Sequence, residues 1–408
     1  MPPAPEPSNL FAFAQWAGPQ SGPYDLLTIA QANAFMLSWS KLWPLLASAS
    51  VTLAAIPLMR RLAVRFELFD RPDAGLKPHE RPVPYLGGVA LYLGWLAAVI
   101  LCGQLMQTDG DHVWWIVLCG TLLMVVGLVD DVRGLSPALR LLIQVAVGGL
   151  LFLVGVGREA VPHLLGSFRE TWPQAAEGGG ITLVLGLGFS AAVVVGVTNA
   201  TNLIDGMDGL CAGVVAITSC GLLAVGGLLA RESAISADGG ALIMMLCVAM
   251  LGACLAFLAV NFNPASMFMG DSGALLLGFS VAGAIILFAE HASWRGLPAS
   301  LACFGFPIFD MTLAVGRRWR NGRPLFVGDR SHFYDQIRDR GLSIRQTVLA
   351  CYGLCAAFAG LGMVMTQLSG GGTVVLCVAV PVVAALACWW GGMLRVDDAA
   401  KRSGQSPG

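Results

Sequence analysis

ITLVLGLGFSAAVVVGVT, residues 181–198, runs eighteen positions without a charged side chain. It stops at NATNLIDGMDGL, residues 199–210, where two Asn, two Asp and two Gly occupy twelve positions before another apolar run begins. A helix needs about 20 apolar residues to cross a bilayer core. An acidic loop between two such runs therefore belongs to a polytopic membrane protein, and ionisable groups at a membrane edge are functional by default.

The rest of the chain repeats the pattern. Of 408 residues 56% are hydrophobic and only 12% charged, and the mean hydropathy is +0.72; soluble domains carry about 25% charged residues. Apolar runs fall near residues 42–59, 85–106, 113–129, 137–156, 181–198, 210–230, 240–260, 273–289, 297–315, 346–367 and 373–393. The expected fold is an all-α, polytopic membrane bundle of ten or eleven helices, because the runs at 113 and 181 are short or Gly-rich. Residues 41–395 form its single domain. Residues 1–40 read as a lead-in on the outer side, and 396–408 as a disordered cytoplasmic tail. The eleven Cys lie mostly inside apolar runs without paired spacing, which speaks against a disulfide scaffold or a zinc site. A net charge of −1 says nothing about partners; no nucleic-acid partner is expected, and the bilayer itself is the evident one.

Placing the first helix with its start outside puts nineteen of the 24 Lys and Arg on the inner side, as the positive-inside tendency requires. That topology uses no motif, yet it sends five polar clusters to the same face: residues 77–88, 130–134, 199–209, 261–271 and 328–340. The site is therefore expected at the cytoplasmic face.

Each cluster has a plain alternative. Asp130 and Asp131 in LVDDVRG are either a solvated helix end or a pair sharing a proton or cation, since like charges side by side drive one pKa up. Asn199 with Asn202 and Asp205 with Asp208 are three apart, which puts each pair on one face of a helical turn; Gly206 and Gly209 admit a close backbone approach to a bound group. Asp271 in NFNPASMFMGDSG is equally a metal ligand or a helix cap, and Phe268 by default is a core aromatic. The basic loop RRWRNGRPLFVGDRSHFYDQIRDRG suits anionic headgroups, but Arg330 and His332 sit in a compact GDRSHFYD run that would draw an anionic substrate. Three acidic loops on one face make a hard-cation site the economical reading, because Mg²⁺ takes few carboxylates and completes its shell with water and phosphate oxygens.

KPHERPVPYLGG, LVDDVRG, NATNLIDGMDGL, NFNPASMFMGDSG and DRSHFYD together resemble, in order and spacing, the polyprenyl-phosphate N-acetylhexosamine-1-phosphate transferases, glycosyltransferase family 4. The likeness spans about residues 45–395. It implies transfer of a sugar 1-phosphate from a UDP-amino sugar to undecaprenyl phosphate in a bacterial cytoplasmic membrane, with release of UMP and a need for Mg²⁺, Mn²⁺ being the alternative ion. Carried over by motif, Asp271 holds the metal with Asn202 as second ligand. Asp130 and Asp131 act near the lipid phosphate, one of them as base, and Asp205 lies by the diphosphate; the sequence leaves open a covalent intermediate on an Asp, and direct attack with Asp130 as base is the favoured reading. Met207, Asp208, Asn261 and Phe268 form the uridine pocket. Lys77 reaches the nucleotide, with His79 as its rival, and Arg330 and His332 face the sugar phosphate or diphosphate. A homodimer is an expectation from the resemblance alone.

The family's last loop carries several histidines in a row, whereas Phe333, Tyr334 and Asp335 follow His332 here. That departure argues against the muramoyl-pentapeptide branch and for UDP-GlcNAc as donor. The alternative from another class, an ion-coupled transporter, requires polar groups near the bilayer midplane, whereas these clusters lie at one edge.

Overall fold

The structure, a computed structural model, describes residues 42–70, 82–106, 110–166, 180–322 and 332–393. Lys77, His79 and Arg330 lie outside the described residues, as do the lead-in and the tail.

In chain order the helices are α1 (Leu42–Arg65), α2 (Gly87–Met106), α3 (Gly110–Arg133), α4 (Pro137–Leu153), α5 (Ala160–Gly166), α6 (Gly180–Leu203), α7 (Leu210–Arg231), α8 (Ala237–Asn261), α9 (Gly270–His291), α10 (Gly296–Cys303), α11 (Gly305–Arg320), α12 (Phe333–Asp339), α13 (Ile344–Met365) and α14 (Gly370–Trp390). Eight of them are long and apolar enough to span a membrane, nine if α10 and α11 count as one bent span; Gly87–Gly103 and Pro137–Leu153 are shorter apolar helices. All eleven expected runs fall on these elements.

One expectation needs correction. The run 297–315 is two helices meeting at 71°. Pro307, near the start of α11, has no N–H to give the carbonyl of Cys303, and its ring crowds that carbonyl, so the helix breaks there. The all-α expectation holds: the one sheet among the described residues is a two-residue ladder in which β1 (Phe69–Asp70) pairs antiparallel with β2 (Val83–Pro84).

α9 is the hub. It is buried all round and packs on α2, α3, α5, α6, α8 and α10, as befits a helix without a polar face. Small residues let its neighbours approach: a Cβ on Gly127 of α3 would lie 2.5 Å from the Asp271 carbonyl, and one on Gly278 of α9 would lie 2.7 Å from Cα of Thr198 in α6. Far from Asp271, the Glu290 carboxylate accepts hydrogen bonds from the amides of Gly157 (2.7 Å) and Glu159 (3.0 Å) and ties the other end of α9 to α5. By contrast α14 has α13 as its main neighbour and exposes Val374, Val375, Val378, Val382 and Val383. Nine of the eleven cysteines are buried and all are thiols, which fits their reading as small core residues.

Candidate active site

The amino end of α9 is where the acidic motifs meet. Gly270 adopts φ +67°, and a Cβ there would lie 2.5 Å from Asp131 Oδ2. The vacant space admits the Asp131 carboxylate, which accepts from the amides of Asp271 (2.8 Å) and Ser272 (3.2 Å). An acid from α3 thus satisfies amides that no helical carbonyl can reach and sits at the positive end of the helix dipole.

Asp130 faces elsewhere, as neighbours on a helix must. Its Oδ1 accepts from the amide of Leu135 (2.6 Å) and its Oδ2 from Arg140 Nη1 (2.6 Å). The same Nη1 lies 3.0 Å from Asp271 Oδ2, while Asn202 Nδ2 donates to Asp271 Oδ1 at 2.6 Å. The two adjacent acids are therefore neither a solvated helix end nor a pair sharing one proton. Asp271 is not a cap either: Asp131 does the capping, and the Asp271 carboxylate is left between a guanidinium and an amide.

NATNLIDGMDGL ends one helix and begins the next. Asn199 belongs to the helix body and donates to Gln144 of α4 (2.6 Å), away from its partner in spacing, Asn202. After Leu203 the chain turns, and α7 begins beyond Gly209 at φ +80°. Burial first, then the carboxylates of Asp271, Asp131 and Asp208, hold Asp205 well above the usual carboxylate range. Asp208 Oδ2 accepts from Asn263 Nδ2 (2.9 Å) and the amide of Ala265 (3.0 Å). Asn261, nearly fully buried, accepts from the amide of Gly209 (3.1 Å) and donates to the Met267 carbonyl (3.0 Å). These two residues knit the loops 204–209 and 262–269 together. Met207 is buried. Phe268 is half-buried, and its backbone bonds Pro84 (2.9 Å) and Gly87 (3.0 Å); this fastens the third acidic motif to β2 and to the start of α2. The close approaches expected at the two glycines serve the protein itself. A Cβ on Gly206 would lie 2.2 Å from the Tyr334 hydroxyl, and one on Gly209 would meet Phe262.

His332 heads α12. Its Nδ1 bonds Asp310 Oδ2 at 2.8 Å, and its ring stacks on Tyr334 with centroids 5.4 Å apart and planes 6° from parallel. The Tyr334 hydroxyl donates to the Leu203 carbonyl (3.0 Å), so the last loop is joined to the acidic turn.

Among the described residues, no three His, Cys, Asp or Glu side chains gather as a ready-made metal cage. The donor chemistry nonetheless fits a hard divalent cation. Asp130, Asp131 and Asp271 meet at one helix end, the charges of Asp271, Asp131 and Asp208 register on Asp205, and Arg140 is a cation that meets two of the acids. Mg²⁺ is ordinarily held by one or two carboxylates and completes its octahedron with water and phosphate.

The family model for glycosyl transferase family 4 matches residues 113–289, from α3 through α9. A probable undecaprenyl-phosphate N-acetylglucosaminyl 1-phosphate transferase of Bacillus subtilis strain 168 is 31% identical over 310 residues, covering 75% of this chain and 79% of that protein. The chain belongs to glycosyl transferase family 4. Other relatives include a decaprenyl-phosphate N-acetylglucosaminephosphotransferase of Mycolicibacterium smegmatis, 30% identical over 84% of this chain and 86% of that one. The undecaprenyl-phosphate alpha-N-acetylglucosaminyl 1-phosphate transferase of Escherichia coli K12 is 28% identical over 74% and 78%.

In this family-4 chain the site holds three residues that the motifs did not single out. Arg140 closes the first turn of an apolar helix, and Tyr334 occupies a position where a histidine was expected. Asp310 is the one charged residue in the run 297–315, and an ionisable group inside an apolar run was the available signal.

Proposed function

We propose that this family-4 protein transfers N-acetylglucosamine 1-phosphate from UDP-GlcNAc to undecaprenyl phosphate at the cytoplasmic face, releasing UMP. An oxygen of the lipid phosphate attacks the sugar-bearing phosphorus, the bond from that phosphorus to the bridging oxygen breaks, and UMP leaves with that oxygen. Phosphoryl transfer of this kind depends on positioning and charge neutralisation more than on covalent help.

The observation that carries the reading is Asp271, set at the amino end of the buried helix α9 between Arg140 and Asn202. Mg²⁺ held by Asp271, with Asn202 Oδ1 and Asp205 beside it, would neutralise diphosphate charge; Mn²⁺ is the alternative ion. Arg140 turns from Asp271 and Asp130 onto the incoming phosphate, which releases Asp130 to take the acceptor's proton in a direct attack. Asp131 keeps the helix end in place while this happens. His332 faces the sugar phosphate, Arg330 adds a cation there, and Lys77 reaches the nucleotide. Phe268 stacks on uracil above the floor made by Met207, Asp208 and Asn261.

The relatives' names support GlcNAc as the sugar, and the single histidine of HFYD supports it against the muramoyl-pentapeptide donor. The inner-side excess of Lys and Arg supports the cytoplasmic placement. The test is UMP release by purified protein from a panel of UDP-sugars, the muramoyl-pentapeptide donor included, with undecaprenyl phosphate and Mg²⁺. Turnover is expected with UDP-GlcNAc, and the absence of UMP with every donor would refute the transferase reading.

A further inference from the structure

Asp310 is completely buried in α11. A carboxylate is retained in such a place only when its oxygens are bonded, because removing its charge from water is costly otherwise. Both are bonded here, and both to the head of α12: Oδ2 to His332 Nδ1 at 2.8 Å, and Oδ1 to the Phe333 amide at 2.7 Å. An acceptor-only partner at Nδ1 requires the proton to sit on that nitrogen. Nε2 then remains to act on a substrate.

The ring is fixed from a second side as well. Tyr334 lies flat against it and reaches with its hydroxyl to Leu203, the residue after Asn202, which bonds Asp271. A chain of contacts therefore runs from the buried acid through the imidazole and the phenol to the carboxylate cluster. In this chain Asp310 bonds Nδ1 of the ring and Tyr334 stacks on its face while bonding the acidic turn.

We propose that Asp310 is a positioning residue for the transfer reaction: it holds His332 in the Nδ1–H form, so that Nε2 is the nitrogen offered to the donor phosphate. The role of Nε2 rests on the function proposed above. Asp310→Asn tests the idea at constant volume. Its Oδ1 can still accept from Phe333, while its NH₂ faces Nδ1 and forces the proton onto Nε2. A wrong-tautomer Asp→Asn substitution of this kind costs about 10⁴-fold in kcat in the Ser-His-Asp triad, where the histidine is the general base; a histidine that only contacts phosphate loses less. The expected result is a fall in kcat of at least about 100-fold with an unchanged KM for UDP-GlcNAc. In a His332→Gln background, Asp310→Asn should cause no further loss.

Wild-type kcat in Asp310→Asn, or losses that multiply in the double variant, would overturn the proposal, since a purely structural tie acts without His332. ¹⁵N NMR of histidine-labelled, donor-free protein reads the tautomer directly, with the His332 signal assigned from its absence in His332→Gln. The wild type should show a protonated Nδ1, and a protonated Nε2 instead would sink the proposal even if Asp310→Asn failed to fold. If the tautomer is as expected but no UDP-sugar is turned over, the transferase reading has failed and the control of His332 by Asp310 has not.

Discussion

Replacing Gly270 by Ala probes the junction on which the site depends. Holding an L-residue at the φ of +67° found there costs roughly 1–2 kcal/mol. The added methyl would also lie 2.5 and 2.8 Å from the two oxygens of Asp131, well inside contact distance, so that carboxylate must retreat. Its retreat breaks the bonds to the amides of Asp271 and Ser272, and a hydrogen bond to a charged group contributes about 1.5–3 kcal/mol. Losing even one of the two brings the total to about 2.5–5 kcal/mol. In thermal unfolding of detergent-solubilised protein this is a drop on the order of 5 °C or more. Activity should fall further than stability, because Asp271 moves with its amide. Gly196→Ala is the matched control, since a Cβ there meets nothing within 4 Å and alanine favours a helix interior. If the two variants melt together and turn over alike, the account of this junction is wrong.

Asp271→Asn should abolish Mg²⁺-dependent UMP release, and full activity in that variant would remove the metal assignment. Arg140→Gln takes away the cation shared by Asp130 and Asp271; kcat/KM for the lipid acceptor should drop at least tenfold, about 1.4 kcal/mol, with a smaller change in the KM for the nucleotide, and equal effects on both substrates would contradict the Arg140 step. Asp205, whose pKa is raised by burial and by Asp271, Asp131 and Asp208, should release a proton when Mg²⁺ binds; the release, followed in weak buffer, should shrink in Asp205→Asn. A carboxyl with a folded pKa above its unfolded one binds a proton on folding, so its contribution is present on the acid side and is lost as pH rises through the folded value. The metal-free protein should accordingly lose stability over that range, and added Mg²⁺ should flatten the slope.

The eleven runs were legible because a membrane span announces itself by length and apolarity alone. The gathering of Asp130, Asp131, Asn202, Asp205 and Asp271 was also legible, since counting spans places every loop on one side or the other. What each acid does was not. Asp130 and Asp131 are adjacent in sequence, but their partners depend on the rotation of α3 about its own axis and on how closely Gly127 lets it approach α9. The break between α10 and α11 was hidden because Pro307 sits in an unbroken apolar run, where only the geometry of the preceding carbonyl shows that the helix must stop. Asp310 was passed over for a related reason: one acid in nineteen positions hardly alters an average, although its burial gives it the tightest environment of any carboxylate near His332.

α9 has a consequence for the membrane around it. Its 22 residues span about 33 Å, close to the roughly 30 Å hydrocarbon thickness of a typical bilayer, and both its ends are fastened, by Asp131 and by Glu290. Asp271 therefore stands at a fixed height above the opposite leaflet, whereas the acceptor's phosphate rides at whatever height the lipids set. Hydrophobic mismatch then becomes a kinetic variable. In bilayers of short-chain lipids the phosphate plane should sink below Asp271 and in thick ones rise above it, so turnover measured in proteoliposomes of graded chain length is expected to pass through a maximum at the thickness that brings the two level.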